Sequence, residues 1–600
     1  MTPLKLQPLP ASWEECIQRG WDSIDILLVT GDAYIDHPSF GVALIGRFLE
    51  HYGYRVAILS QPRYDSPSDF QRFPAPNLYC GITAGNLDSI VANYTGNGKV
   101  RETDAYSPGG NGWRSKEKNK NNRYRPDRAS LIYANLARSC YKDTPIVLGG
   151  LEASLRRFVH YDYKQNRIRS SFLTDAKADL VVYGMGEHAV LDIARKCQSG
   201  KPLQGIYGSC ERLTENELNR RFAGWSAPDS NDFLVLPSLT EIQGDKKLFL
   251  DAELALDKHS RAGSDQIVLQ KQQTHWVVQH PGAKSLTVRE LDSLYELPYT
   301  RLPHPQSPDV PAYRMIKDSV TIVRGCSGNC SFCAITRHQG ATIQNRSVES
   351  ITRECKTLAA SPSFSGTISD LGGPTANLYG TSCAIGGCKK KDCLYPQICK
   401  HLVIDEERFL SLLAKVASID NVRHVFISSG LRMELLLRTP SLLRELILHH
   451  IPGTMKIAPE HSSKEVLKLM HKEPHALLTK FINHSRALAK SLGKNLKVVP
   501  YVISSHPGCR DQHATQLAND MGKLGLPLKQ FQDFTPTPGT LSTAMYVTGL
   551  SRIDKKPIYV AKNSSERMKQ RKLLEGKNSN PRVRHNDIRA TATRKKVRRR

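Results

Sequence analysis

Thr321–Gly340, TIVRGCSGNCSFCAITRHQG, places Cys326, Cys330 and Cys333 within eight residues. The spacing is Cys-x3-Cys-x2-Cys, directly after an apolar run, SVTIVRG, that reads as a strand. Thiolates are soft ligands suited to iron–sulfur clusters or zinc. Three of them can hold three irons of a 4Fe-4S cluster, which normally takes four cysteines. The remaining iron is then open to a cofactor or substrate. Gly325 and Gly328 let the backbone wrap closely, because neither carries a Cβ. The competing readings are a zinc site completed from elsewhere in the chain, or buried cysteines without metal.

Working outward, strand and helix patterns alternate from Met315 to the segment QDFTPTPG. Apolar runs such as HVFISSG and TMKIAPEH read as strands, and EERFLSLLAKVAS and HALLTKFINHSRALAKSLG as helices. About six β/α units in series suit a full or partial barrel, with active residues on the loops after the strands. Upstream, IDILLVTG, GVALIGRFLEHYG and YRVAILSQP repeat the strand–helix–strand order. This implies a parallel Rossmann-like sheet with ligands at the carboxyl ends of its strands. The fold class is therefore α/β: a Rossmann-like parallel sheet followed by a partial (β/α) barrel. The expected units are residues 1–200 for the sheet and 201–312 for a bridging segment. The barrel takes 313–545, with a cysteine-rich insertion at 374–402, and a basic, largely disordered extension takes 546–600.

The composition, 40% hydrophobic and 24% charged, fits a globular chain and excludes a disordered one. The first residues lack the apolar core of a signal peptide, and no run reaches the length of a membrane span. The expected location is the cytoplasm, without membrane contact, where clustered cysteines favour metal or catalysis over disulfides. The net charge of +27 is uneven. Arg571–Arg600 holds twelve Lys and Arg against Glu575 and Asp587. Such a tail attracts polyanions, so RNA or ribosome contact is one expectation and plain solubility the other.

A second cluster lies in CAIGGCKKKDCLYPQIC: Cys383, Cys388, Cys393 and Cys399. Four thiolates there suit structural zinc or an auxiliary cluster that staples the insertion; inert cysteines or a chance disulfide are the alternatives. Cys16, Cys80, Cys140, Cys197, Cys210, Cys355 and Cys509 read as isolated core or loop residues. His160 and His461 are candidate acid/base groups, with a structural role favoured.

The three-cysteine loop, with Phe332 before its last cysteine, resembles the radical SAM signature. Longer segments sharpen this: YIDHPSFGVALIGRFLE, GGLEASLRRFVHYDY, LGGPTANLYG, KIAPEHSS, VPYVISSHPGC and QDFTPTPGTLSTAMYVTG are similar to YgiQ-type radical SAM proteins. The resemblance implies a 4Fe-4S cluster on Cys326, Cys330 and Cys333, S-adenosylmethionine as cofactor, and a reducing electron donor. It implies reductive cleavage of S-adenosylmethionine and hydrogen abstraction from an unknown substrate. It places the cofactor's amino group on Gly372 and Gly373, with Ser428, Ser429, Arg432 and Glu460 as further contacts. Pro374 stands where the superfamily has an acid, and Lys164 where an aromatic is expected. In the N-terminal sheet Asp36 and His37 are adjacent, unlike the spaced lower-ligand motif of cobalamin domains. A substrate-binding or vestigial sheet is preferred there, and cobalamin stays open. The alternatives carried forward are an RNA-modifying methyl- or methylthiotransferase and a non-catalytic, metal-stapled RNA- or ribosome-binding protein.

Overall fold

The computed structural model describes residues 6–227, 231–386, 388, 390–528 and 531–575. The N-terminal sheet has nine strands: β1 (Ile26–Thr30), β2 (Val56–Ser60), β3 (Tyr79–Thr83), β4 (Ile146–Leu148), β5 (Leu180–Val182), β6 (Ser209–Thr214), β7 (Phe233–Leu236), β8 (Ile267–Gln272) and β9 (His275–Gln279). Their spatial order is β2-β1-β3-β4-β5-β6-β9-β8-β7. The first five pair in parallel, and β6 joins antiparallel to β5 and β9. The strands of the parallel part are apolar and almost fully buried because helices cover both faces. Helix α1 (Gly41–His51) buries Val42, Ala43, Leu44 and Leu49 against this sheet, at helical spacing. Helix α2 (Glu187–Gln198) packs beside it and buries Ala189, Val190, Leu191, Ile193 and Ala194.

This sheet corrects one expectation. The stretch 201–312 is no bridge: it supplies β6 to β9, and a helix at Lys247–Ala262, α3, buries Phe249 and Leu250. These strands mix parallel and antiparallel pairs, and β8 and β9 are buried on both faces, so they show no alternation of apolar and polar residues.

Downstream lie β10 (Ser319–Thr321), β11 (Thr367–Ile368), β12 (Asp370–Gly372), β13 (His424–Val425), β14 (Thr454–Glu460), β15 (Lys497–Ser504) and β16 (Phe531–Asp533). The parallel pairs are β10 with β12, β11 with β13, β14 with β15 and β15 with β16. Backbone bonds from Leu371 to Phe426 at 3.0 Å and a Leu431–Ile457 bridge carry the sheet across its weakest joints. The result is a partial barrel. Residues of β14 alternate between buried and half-buried, so one face meets the helices and the other the barrel interior.

The expected disordered extension also differs from the structure. Helix Ser564–Glu575, α4, buries Arg567, Gln570 and Leu574, and Gln570 Nε2 donates to Cys509 O at 2.8 Å. The basic residues from 576 onward lie outside the described residues. Among the described residues no helix is long and apolar enough to cross a membrane.

Candidate active site

The three-cysteine loop follows β10 and lies where the two sheets meet. Gly325 has φ 82°, and a Cβ there would sit 2.2 Å from Thr342 O, so only glycine fits. Cys326 N donates to Gly340 O at 3.2 Å, and Cys333 N to Cys330 O at 3.0 Å. Ser331, between the cysteines, pins the loop to its far wall. Its Oγ bonds Leu469 O at 2.7 Å and Ser542 Oγ at 2.9 Å, and Ser542 Oγ meets His506 Nε2 at 2.7 Å. Burial pushes His506 down to about 3, so its ring is neutral and serves as a structural hydrogen-bond partner.

Burial pushes the Cys333 thiol up to about 12, reinforced by the charges of Cys330 and Cys326. Burial also raises Cys330, against the opposing pull of Arg432 and Lys472. Thiols raised by burial in this way ionise more readily beside a cation. Arg432 supplies one: its Nη2 donates to Cys330 Sγ at 3.5 Å and Cys326 Sγ at 3.9 Å. A Cβ on Gly328 would strike this guanidinium at 1.6 Å. Among the described residues no three His, Cys, Asp or Glu side chains are grouped closely enough to hold a metal ion as they stand. Here a guanidinium lies against two of the three sulfurs. Three soft donors on one loop, Cys326 buried and Cys330 and Cys333 half-buried, with a cation held beside them fit an iron–sulfur cluster.

The glycine pair ends β12. A Cβ on Gly372 would meet Ser429 Oγ at 2.1 Å and Asp370 Oδ2 at 2.3 Å, and one on Gly373 would meet Val323 O at 2.5 Å. Close strand approach therefore requires both glycines. Ser428 and Ser429, expected to face a ribose and carboxylate, are occupied with Asp370. Both backbone N–H groups donate to Asp370 Oδ1, at 2.8 and 3.1 Å, and Ser429 Oγ donates to Asp370 Oδ2. Ser428 Oγ donates to Ser369 O at 2.8 Å. Asp370 thus shapes the loop after β13, and the sequence offered no signal for it beyond its place in DLGG. Arg432 is set by Asn377, whose Oδ1 accepts from Arg432 N at 2.9 Å and whose Nδ2 donates to Arg432 O at 2.9 Å.

Glu460 closes β14 at φ 65°. Burial raises its carboxyl to about 7, against the pull of Lys472 and Arg432. Around it sit Glu434, Lys472 and Glu473, all nearly buried, with Lys472 Nζ 3.0 Å from Glu473 Oε1 and Arg432 Nη1 3.8 Å from Glu473 Oε2. Charged residues this deep persist only when paired. Sequence reasoning missed Glu434, Lys472 and Glu473.

His461 and His160 are structural. Ser462 N and Ser463 N donate to His461 Nδ1, at 2.9 and 3.0 Å, and burial holds both rings down to about 3. In the N-terminal sheet Asp36 is bonded to Arg47, Tyr34 and the Thr300 backbone, and His37 Nδ1 accepts from Ser39 N at 3.1 Å. Lys164, out of pattern in the sequence, sits 4.0 Å over the Tyr94 ring.

The cysteine-rich insertion leans on the first loop. Asn329 Nδ2 donates to Lys391 O, and His471 Nε2 meets Asp392 Oδ1 at 2.8 Å. Cys399 N donates to Cys393 O at 2.8 Å, and His401 N to Cys399 Sγ at 3.5 Å. Backbone N–H groups of Lys391 and Lys390 hold the Cys388 thiol below its ordinary value. Burial pushes Cys393 up to about 11, reinforced by Cys399, Cys383 and Cys388.

A helix at Ile335–His338, after the cysteine loop, anchors it to α3. Arg337 lies 3.8 Å from Glu253 and 3.4 Å from Asp257. Burial raises Glu253 to about 7 from 4.5, despite Arg337. The native state keeps this proton in a window where the unfolded chain has lost it. Stability therefore falls as pH rises from 4.5 to 7, by about 3 kcal/mol from this group. Urea unfolding at pH 5 and pH 8 checks it: Glu253→Gln gains on the unsubstituted chain by that amount at the higher pH. Equal differences at both pH values sink the assignment.

Residues 8–319 match the family model described as Radical SAM N-terminal, and residues 320–500 that of the Radical SAM superfamily. The chain is 42% identical over 573 residues to a UPF0313 protein of Geobacter sulfurreducens, covering 94% of this chain and 92% of the other. It is 43% identical over 572 residues to a UPF0313 protein of Methanocella arvoryzae, with coverage of 94% and 92%. Among solved structures it is similar to the radical S-adenosylmethionine methyltransferase TsrM from Kitasatospora setae, with cobalamin and a [4Fe-4S] cluster bound. That match has a TM-score of 0.48 and 14% identity over 86% of this chain and 74% of the other, too distant to bear on the reaction.

Proposed function

The chain belongs to the UPF0313 family of radical SAM enzymes, the YgiQ type, and on that premise we propose that Cys326, Cys330 and Cys333 ligate its 4Fe-4S cluster beside the barrel mouth. Held there together with S-adenosylmethionine, such a cluster would supply the reducing electron for radical chemistry on a substrate hydrogen. The observation that carries this reading is the loop of three thiols after β10, with the Arg432 guanidinium against two of them.

The chain's own residues have distinct tasks. Arg432 offsets thiolate charge, and Glu434 and Glu473 hold Arg432 in place. Gly372 and Gly373 end β12 without side chains and would hold the cofactor's amino group through the backbone. Asp370 orders Ser428 and Ser429, so these residues act through backbone and loop shape. Glu460, with a carboxyl near 7, is a proton-holding group at the rim. The test is anaerobic reconstitution with iron and sulfide, then reduction with S-adenosylmethionine present. Formation of 5′-deoxyadenosine supports the reading, and a fully loaded, reducible cluster that leaves S-adenosylmethionine intact opposes it.

Cys383, Cys388, Cys393 and Cys399 form a second metal site in this reading, one that staples the insertion onto the catalytic loop through Lys391 and Asn329. Its support is the run of N–H···S bonds and the mutual repulsion of thiolates on one short loop. Cys393→Ser and Cys399→Ser proteins are expected to lose one metal equivalent, or one cluster's worth of iron, by elemental analysis. They keep the spectrum of the first cluster. Unchanged metal content in both variants removes the second site.

A further inference from the structure

The N-terminal sheet holds a cavity of about 610 Å³ that runs from under α1 and α2 to the catalytic loop. Its inner walls are Leu28, Leu44, Val147 and Val190, side chains otherwise shielded from solvent. Its rim is polar: Thr30 ends β1 and Asp32 follows it, and Thr83 and Asn86 fall at or after β3. Its far end is Ile335 and Gly373. The order β2-β1-β3 reverses between β1 and β3, which is where open α/β sheets bind ligands, outside the strand carboxyl ends. Volume and lining match small-molecule sites, which are mostly apolar with a few convergent polar groups.

We propose that this cavity is the substrate chamber, and that the substrate is a small amphipathic molecule. Its apolar body lies between the sheet and the helix pair, and its hydrogen-bond-accepting head lies at the rim. The inference rests on the radical reading above and names the substrate class for that site. The head is set by the two helix starts at the rim. Gly41 opens α1 and Gly186 precedes α2, no side chain caps either helix, and both glycines line the cavity. Uncapped first turns present N–H donors and the positive end of the helix dipole. Asp32 does not oppose an acceptor there, because Arg125 is bonded to it and Asn86 N donates to it at 2.7 Å. The body is set by the walls, where hydrocarbon contact is the available interaction.

Octanoate is the probe, titrated by calorimetry into the full-length chain. Hexanoate and butanoate test the walls, since each methylene that enters them tightens binding about fourfold. Gly149 and Gly41 line the cavity with ordinary backbone, and a Cβ on either meets nothing within 4 Å. Gly149→Leu and Gly41→Leu therefore fill space without straining the fold, which melting temperature verifies. Octanoate binding weakened at least tenfold in Gly149→Leu, with the chain-length dependence flattened, supports the chamber. Equal binding in both variants, or no binding by the unsubstituted chain, overturns it, as does a corrinoid retained in the cavity through purification. The triple Cys326→Ala, Cys330→Ala, Cys333→Ala protein separates the two readings. It retains octanoate binding if the chamber exists, whatever the fate of 5′-deoxyadenosine formation.

Discussion

Cys326→Ala, Cys330→Ala and Cys333→Ala proteins, each reconstituted anaerobically with iron and sulfide, form 5′-deoxyadenosine at about one thousandth of the unsubstituted rate or less, because the group that carries the electron is lost. The expectation follows from position as much as from residue type. Cys326 and Cys330 face one guanidinium, and Cys333 is coupled electrostatically to both. Cys355 is the control. It is fully buried in the barrel core on the helix Val348–Ala359, and Cys355→Ala is expected to stay within about twofold, with only a small packing loss. Product is measured by chromatography of quenched reactions alongside iron content. Turnover in Cys330→Ala near the unsubstituted rate would sink the ligand assignment.

Arg324→Met carries the largest expected loss of stability, about 3–5 kcal/mol. Arg324 lies two residues before Cys326, and its Nη1 meets Glu187 Oε1 at 2.7 Å. Its Nε donates to the Tyr295 hydroxyl at 3.0 Å. Both side chains of the ion pair are nearly sealed from water, at 4% and 2% exposure. Glu187 begins α2 of the N-terminal sheet, so this pair fastens that sheet to the catalytic loop. Removing the arginine leaves a buried carboxylate without its partner. Glu187→Gln in the same chain relieves that charge, so the double variant should recover part of the loss. Urea unfolding of both variants checks this. A cost below about 1 kcal/mol in the single variant would mean the pair is not sealed as described.

The cysteine loop was legible because its meaning is local. Three ligands in eight residues need no distant partner to announce a soft metal site. Helices such as Gly41–His51 were legible for the same reason: their buried faces repeat at helical spacing. The stretch 201–312 was not. Its sheet is decided by pairing between Cys210 and Gln279, far apart in the chain. The end of the chain misled in the opposite direction. Its basic character hid a helix whose Arg567, Gln570 and Leu574 are buried.

Residue type and spacing alone determined the α/β class and the three-thiolate loop, because propensity, periodicity and ligand spacing act over a few residues, while the glycine pair was read from the family resemblance. Tertiary structure decided what surrounds them. It set Arg432 beside cysteines more than a hundred positions away and gave Ser428 and Ser429 to Asp370. It buried Lys472 with Glu473 and opened a cavity between the first sheet and the catalytic loop. Charge pairing and cavity shape depend on which distant surfaces are driven together when apolar faces leave water, and no short stretch of sequence encodes that alone.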